Sequence, residues 1–347
     1  MTEPWHQHQP LPLDVRLRTA VGAFTQQPGT PYGLLDFPHH SNTGDSAIWV
    51  GERMLLQSLC ERPPTYVSAS YSRPEELGRF LPEGVIFLHG GGNFGDLWPL
   101  HQDYREQILA LYPLRRVVLL PQSIHFRDQG ALERARRVIG RHRDFHLMVR
   151  DRPSFDFAYT HFDCPVILAP DSAFAIKMDR FPPAGIGTGI RCLFRDDQEQ
   201  RADATDRAAL FAGLPNEDWR RPPAQALNWR QRALLWSNRA ATRLPGQFWM
   251  GLRLSLYDQM AAALVQTGLA QLAEAHVVVT DRLHGHILSS LLGRPHVVID
   301  NFYGKIRNYI DAWSAIADCR ISPDYATARR EAEALLARRT GEPGPSR

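Results

Sequence analysis

The stretch that most restricts this chain is 277–305, VVVTDRLHGHILSSLLGRPHVVIDNFYGK. Its apolar, β-branched opening over 277–280 predicts a buried strand. Ile287, Leu288, Leu291 and Leu292 then fall at helical spacing, and Gly293 and Pro295 end that helix before a second strand over 296–299. Such a β-α-β unit belongs in an open α/β sheet, which binds ligands just past the carboxyl ends of its strands. Asp281, Arg282 and His284 occupy that position. Taken singly, Arg282 also fits an ion pair and His284 a satisfied core histidine. Together, at a helix amino terminus with its partial positive charge, they join a fixed cation to a proton carrier. That combination suits a small acidic substrate whose reaction moves a proton.

The same alternation fills the first half. Strands are expected over 33–37, 65–70, 85–89, 117–120, 146–149 and 166–169. Helices are expected over 46–59, 74–80 and 130–140, with another starting at Pro153. This order argues a parallel sheet with helices on both faces. Polar residues follow strand after strand. Asn42 and Asp45 stand in a turn that Asp45 or Ser46 can cap, or whose amides and carboxylate can hold a hydroxylated ligand. Gly90, Gly91, Gly92 and Asn93 read as a binding loop whose backbone N–H groups can meet an anion or a sugar. The pattern is neither a Walker loop nor GxGxxG, so neither a nucleoside triphosphate nor a dinucleotide site follows. Gln122 with Ser123, Arg150 with Asp151, and Asp171 end later strands.

A chain of 347 residues has room for two domains. The expected division is an irregular lead-in over 1–30, a first domain over 31–180 and a Pro/Gly-rich linker over 181–188. A second domain over 189–320 and a C-terminal helix and tail over 321–347 complete it. The second domain restarts with a strand that runs into Arg195. A net charge of +3 gives no case for a nucleic-acid partner. Arginine far outnumbers lysine, which favours bidentate contacts to phosphate and carboxylate. Cys60, Cys164, Cys192 and Cys319 are widely spaced and read as reduced thiols. His284 and His286 form an HxH pair with no further ligand at metal-site spacing, so no metal is expected. The start of the chain lacks the pattern of a secretory signal, and no apolar run reaches transmembrane length. A cytoplasmic protein is expected, soluble or peripheral at the inner face of the cell membrane.

Residues 219–257 stand apart. They contain seven arginines, Trp219, Trp229, Trp236 and Trp249, and no acidic residue. The stretch fits a membrane surface carrying anionic lipids, a single-stranded nucleic acid, or a helical insertion packed on its own domain.

The ordered set NTGD, HGGGNFGD, LPQS, VRDRPS, APDSAF, LFRDDQE, TDRLHGHIL and DNFYGK, from Asn42 to Lys305, resembles the polysaccharide pyruvyl transferase family. The resemblance implies two Rossmann-like domains with parallel sheets facing across a cleft, a GT-B-like build. It implies transfer of the pyruvyl group of phosphoenolpyruvate to two hydroxyls of one sugar as a cyclic ketal. Phosphoenolpyruvate is then a co-substrate, and no cofactor is called for. The acceptor would be an exopolysaccharide sugar or its lipid-linked precursor. By the same resemblance Arg282 and His284 supply a donor-binding cation and the acid/base, and Arg195 and Lys305 are further cations for the donor. Asn42, Gly44, Asp45, Gly91, Gly92, Asn93 and Ser123 fall on the acceptor side or support it. The departure is 219–257, which occupies the place of another strand-helix repeat. Two other functions remain in view: a nucleotide-sugar glycosyltransferase of similar build, and a non-catalytic carbohydrate or membrane-surface binding protein.

Overall fold

The computed structural model describes residues 11–25, 27–182, 187–196, 207–216, 218–219, 233, 247–300, 304–313 and 319–340. Their fold is α/β with two parallel sheets. The larger contains β1 (Tyr32–Phe37), β2 (Tyr66–Ala69), β3 (Val85–Leu88), β4 (Gly91–Gly95), β5 (Val117–His125), β6 (Phe145–Val149) and β7 (Val166–Leu168). Its order is β2-β1-β3-β5-β6-β7, with β4 pairing alongside β5. The smaller contains β8 (Ile190–Leu193), β9 (Val277–Thr280), β10 (His296–Ile299) and β11 (Cys319–Ser322), in the order β11-β10-β9-β8.

Helices cover both faces, so the central strands are buried along their whole length rather than alternating. Every residue of β1, β3, β9 and β10 is buried. In the small sheet the two-residue period divides the strands between two cores. Val277, Val279, Val297 and Ile299 pack with Tyr325, Ala328 and Ala332 of the C-terminal helix, Tyr325–Thr340. Val278, Val298 and Leu193 face the main core, which continues into the larger sheet.

Several expectations change. The lead-in is not wholly irregular: Leu13–Gly22 is a helix that buries Leu17 and Val21 at four-residue spacing. The glycine segment is not a loop, because Gly91–Gly95 forms β4. Gly91 and Gly95 have φ of +122° and +128°, a region that excludes most side chains, so the glycines serve a kinked strand. Helix Gln247–Ala273 packs along helix Thr43–Cys60, where Trp49 Nε1 and Arg53 Nε both donate to Asp258. Gly268 fits against Thr43, whose Cγ2 would lie 2.4 Å from an added Cβ.

Of the arginine-tryptophan stretch, residues 220–232 and 234–246 lie outside the described residues. Part of the remainder turns inward. Trp219 is buried and donates to Gln271, while Arg253 is buried and donates to the Val67 carbonyl. Neither side chain is available to a lipid surface. Half of the expected linker, 183–186, is likewise outside the described residues. No described helix is long and apolar enough to cross a membrane.

Candidate active site

A pocket of about 270 Å³ opens past the carboxyl ends of strands from both sheets. The turn after β1 contributes His40, Ser41, Asn42 and Asp45, and β4 contributes Gly92 and Asn93. Arg150 follows β6, Arg195 follows β8, Arg282 and His284 follow β9, and Lys305 follows β10. Trp98, His101, Trp219 and Leu283 complete the lining.

His284 owes its position to the local sequence. Thr280 ends β9 and its hydroxyl accepts the Arg282 N–H at 3.0 Å. Arg282 is the N-cap of helix Leu283–Leu291, so the imidazole leaves the first turn, where the helix dipole is positive. The His284 Nε2 edge faces Asp171, at 3.5 Å from Oδ2. The other ring nitrogen lies over Gly44, where an added Cβ would stand 2.5 Å from Nδ1. Gly44 is therefore the surface that admits the imidazole. We expect Gly44→Ala to reduce turnover on the order of 10²-fold, as displacement of a reacting group by about 1 Å does. Steady-state kinetics check this, and an unchanged rate would show that the ring tolerates the methyl.

Asp171 is fully buried beside Arg150 and His284. Burial alone would raise its pKa, but His284 and then Arg150 outweigh that and hold the carboxyl far below its usual range. Arg150 Nη1 donates to Oδ2 at 2.5 Å, and the Ala173 N–H donates to Oδ1 at 2.9 Å. Arg150 is itself braced: its Nε donates to Ser123 Oγ, and its carbonyl accepts Trp313 Nε1–H. Ser123 thus supports a pocket cation from behind rather than lining the pocket.

The remaining cations come from the small sheet and its loops. The buried Asp281 carboxyl accepts the Arg195 N–H at 2.7 Å and the Tyr325 hydroxyl at 3.2 Å, tying the ends of β8 and β9 together. Burial pushes Asp281 up to about 6. Arg282 Nη2 is ion-paired with Asp218. Lys305 opens helix Lys305–Trp313 and reaches across to the large sheet. A Cβ on Gly92 would lie 2.7 Å from Lys305 Nζ and 3.0 Å from Arg150 Nη2. Gly92 therefore lets two cations from different sheets approach one spot.

The polar turn after β1 is self-bonded. Asn42, rather than Asp45 or Ser46, is the N-cap of helix Thr43–Cys60 and accepts the Gly44 N–H. Its amide donates to Asp45 Oδ2 at 2.7 Å. Asn93 is held by Gln122, which donates to the Asn93 side-chain oxygen and accepts its N–H. Gly91 does not line the pocket. Beneath it a buried Glu52 carboxylate contacts His89 Nδ1 at 2.7 Å and accepts the Gly90 N–H. Burial raises Glu52, whereas for His89 the attraction of Glu52 outweighs burial and raises it too.

His286 does not share a ligand position with His284. Its Nδ1 lies 2.8 Å from His296 Nε2, and His296 Nδ1 donates to the Arg294 carbonyl. Cys319 Sγ is 3.5 Å from the same His286 nitrogen. Burial, then the neighbouring His296, lower the His286 pKa.

The pocket therefore gathers Asn42, Asp45, Gly92, Asn93, Arg195, Arg282, His284 and Lys305 and leaves Gly44, Gly91 and Ser123 beneath or behind it. The sequence reading passed over Arg150, Asp171, Trp98, His101 and Trp219 as site residues. Arg150 and Asp171 carried a usable signal, since Arg150 directly follows β6 and Asp171 comes three residues after β7.

The profile of the polysaccharide pyruvyl transferase family matches residues 42–301, spanning all of these strand ends but Lys305. The chain belongs to that family. A Schizosaccharomyces pombe protein named pyruvyl transferase 1 is 35% identical over 301 residues, covering 81% of this chain and 69% of its own length. EpsO of Bacillus subtilis, a pyruvyl transferase by name, is 31% identical and covers 88% of this chain and 92% of its own. A Klebsiella pneumoniae structure of uncharacterised function shares the fold at a TM-score of 0.60 and 16% identity, covering 91% of this chain and 100% of that one. Membership of the pyruvyl transferase family makes group transfer the reaction class of the chain.

Proposed function

We propose that this protein transfers the pyruvyl group of phosphoenolpyruvate to two hydroxyls of one sugar, forming a cyclic ketal. The observation that carries the reading is the convergence of Arg150, Arg195, Arg282 and Lys305 with the His284 imidazole in a single small pocket. Phosphoenolpyruvate presents a carboxylate and a phosphate, and clustered cations with bidentate arginine geometry suit both. The pocket lies near the lower end of the roughly 300–1,000 Å³ usual for ligand sites. That size suits a three-carbon acid and the edge of a sugar better than a nucleotide sugar. Trp98 in the lining can meet a sugar's C–H surface.

His284 protonates the methylene carbon, leaving an oxocarbenium-like centre at the neighbouring carbon. A sugar hydroxyl attacks there, phosphate leaves, and a second hydroxyl closes the ring. The enol phosphate brings its own leaving group, so the scheme calls for no cofactor and no metal. We read the two sheets as Rossmann-like lobes facing across the pocket in a GT-B-like arrangement. The proposed acceptor is an exopolysaccharide sugar or its lipid-linked precursor, met on the cytoplasmic side of the membrane.

Mass spectrometry of candidate glycans after incubation with phosphoenolpyruvate tests this. The expected result is the added pyruvyl mass with release of phosphate. Nucleotide release from a nucleotide sugar, without phosphate release from phosphoenolpyruvate, would replace the reading with a glycosyltransferase. Arg282→Ala is expected to raise the donor KM on the order of 10–100-fold, the value of one or two charge-assisted hydrogen bonds. Donor titration checks it, and an unchanged KM would remove Arg282 from the donor site.

A further inference from the structure

We propose that His101, oriented by the buried Asp36, is a second catalytic residue that takes the proton from the first attacking sugar hydroxyl. The inference rests on the pyruvyl-transfer reading and adds a residue and a step to it.

Ketal formation has two hydroxyl protons to place. One must end on the methyl carbon and the other on the departing phosphate. A single imidazole that has just donated a proton to carbon becomes a base, but it is then needed where the second hydroxyl closes the ring. The pocket contains a second histidine-carboxylate pair on separate elements. His101 lies in helix Pro99–Leu111, and its Nδ1 contacts Asp36 Oδ1 at 2.7 Å. Asp36, the penultimate residue of β1, is fully buried and holds φ of +70°, a strained region for a residue other than glycine. Arg105, on the same helix as His101, donates to the other Asp36 oxygen at 2.9 Å and also to the Asn93 carbonyl. Burial would raise the Asp36 pKa, but His101 and then Arg105 outweigh it and hold the carboxylate ionised.

An ionised carboxylate on Nδ1 fixes the tautomer that carries hydrogen there and leaves Nε2 as the base. No described group bonds His101 Nε2, and the side chain is 13% exposed in the lining of the pocket. A purely structural ion pair would not need an imidazole at that wall, because Arg105 already neutralises Asp36.

The protons then balance. His284 gives one to the methylene carbon. The first hydroxyl oxygen bonds to the neighbouring carbon and yields its proton to His101 Nε2. The carbon–oxygen bond to phosphate breaks, and phosphate leaves with the proton from His101. The second hydroxyl oxygen closes the ring, and its proton restores His284. Both imidazoles return to their starting states, and no outside reactant is consumed.

The test is His101→Ala in the full chain, assayed for phosphate release and ketal product with a diol sugar. Turnover should fall about 10²-fold, the lower end for general base catalysis. The Kd for phosphoenolpyruvate and the thermal midpoint should stay at parental values. Added imidazoles should restore part of the rate, in increasing measure as their basicity rises, which refilling a structural void would not produce. His101→Gln, which keeps most of the side-chain volume, should show the same loss without the void. Parental turnover in either variant overturns the proposal. So does a fall in donor affinity that matches the fall in rate, or rescue that ignores basicity. A parent protein that consumes no phosphoenolpyruvate with any diol sugar overturns the pyruvyl-transfer reading, and this step with it.

Discussion

Replacing His284 by alanine is expected to lower turnover about 10²–10⁴-fold, the usual value of a positioned proton-transfer group, while phosphoenolpyruvate still binds. The separation follows from geometry. The proposed anion-holding charges are Arg150, Arg195, Arg282 and Lys305, and Arg150 is braced by Asp171 and Ser123. The ring itself is positioned from two sides, with Asp171 3.5 Å from Nε2 and Gly44 beneath Nδ1. Alanine also suits the helix, so the backbone of Leu283–Leu291 should hold. Equilibrium titration of the donor and single-turnover phosphate release measure the two quantities separately. A variant that turns over like the parent would take proton transfer away from this ring. One that loses donor affinity and rate together would make His284 a binding group instead.

The sequence showed this site in part because parallel sheets leave a simple record. Strands buried on both faces appear as short apolar runs, such as VIFL and VVVT, and the polar residues that follow them are candidates for the pocket. Arg282, His284 and Lys305 could be found that way. Their partners could not, because no local period links Asp171 to His284, Asp36 to His101 or Glu52 to His89. Those pairs form only after the strands have taken their order in the sheet. Asn42 and Gly44 show the opposite case. Their turn was legible, but its purpose, capping one helix and admitting a ring from another, depends on the approach of β9. Trp219 and Arg253 belong to a basic stretch whose composition fitted a lipid surface, a nucleic acid or a packed insertion alike. Both are buried, one bonded to Gln271 and the other to the β2 backbone.

Asp171→Asn should destabilise the protein by about 3–5 kcal/mol at neutral pH, the scale of breaking a buried ion pair by removing one partner. The amide oxygen can still accept the Ala173 N–H, but Arg150, 1% exposed, loses its counter-ion. The pH dependence gives the effect a signature. The folded-state pKa of Asp171 is depressed below its unfolded value, which is near 3.9. Its contribution is therefore fully present above that value and is lost as pH falls through it toward the folded pKa. Urea midpoints of parent and variant should differ most at pH 7 and converge below about pH 4, because the parent alone gives up this carboxylate's contribution there. Turnover should fall as well, since the same carboxylate stands 3.5 Å from His284 Nε2 and 2.5 Å from the Arg150 guanidinium. Equal midpoints at pH 7, or a gap that stays constant on acidification, would mean that Arg150 and His284 find other partners and that Asp171 does not organise the pocket.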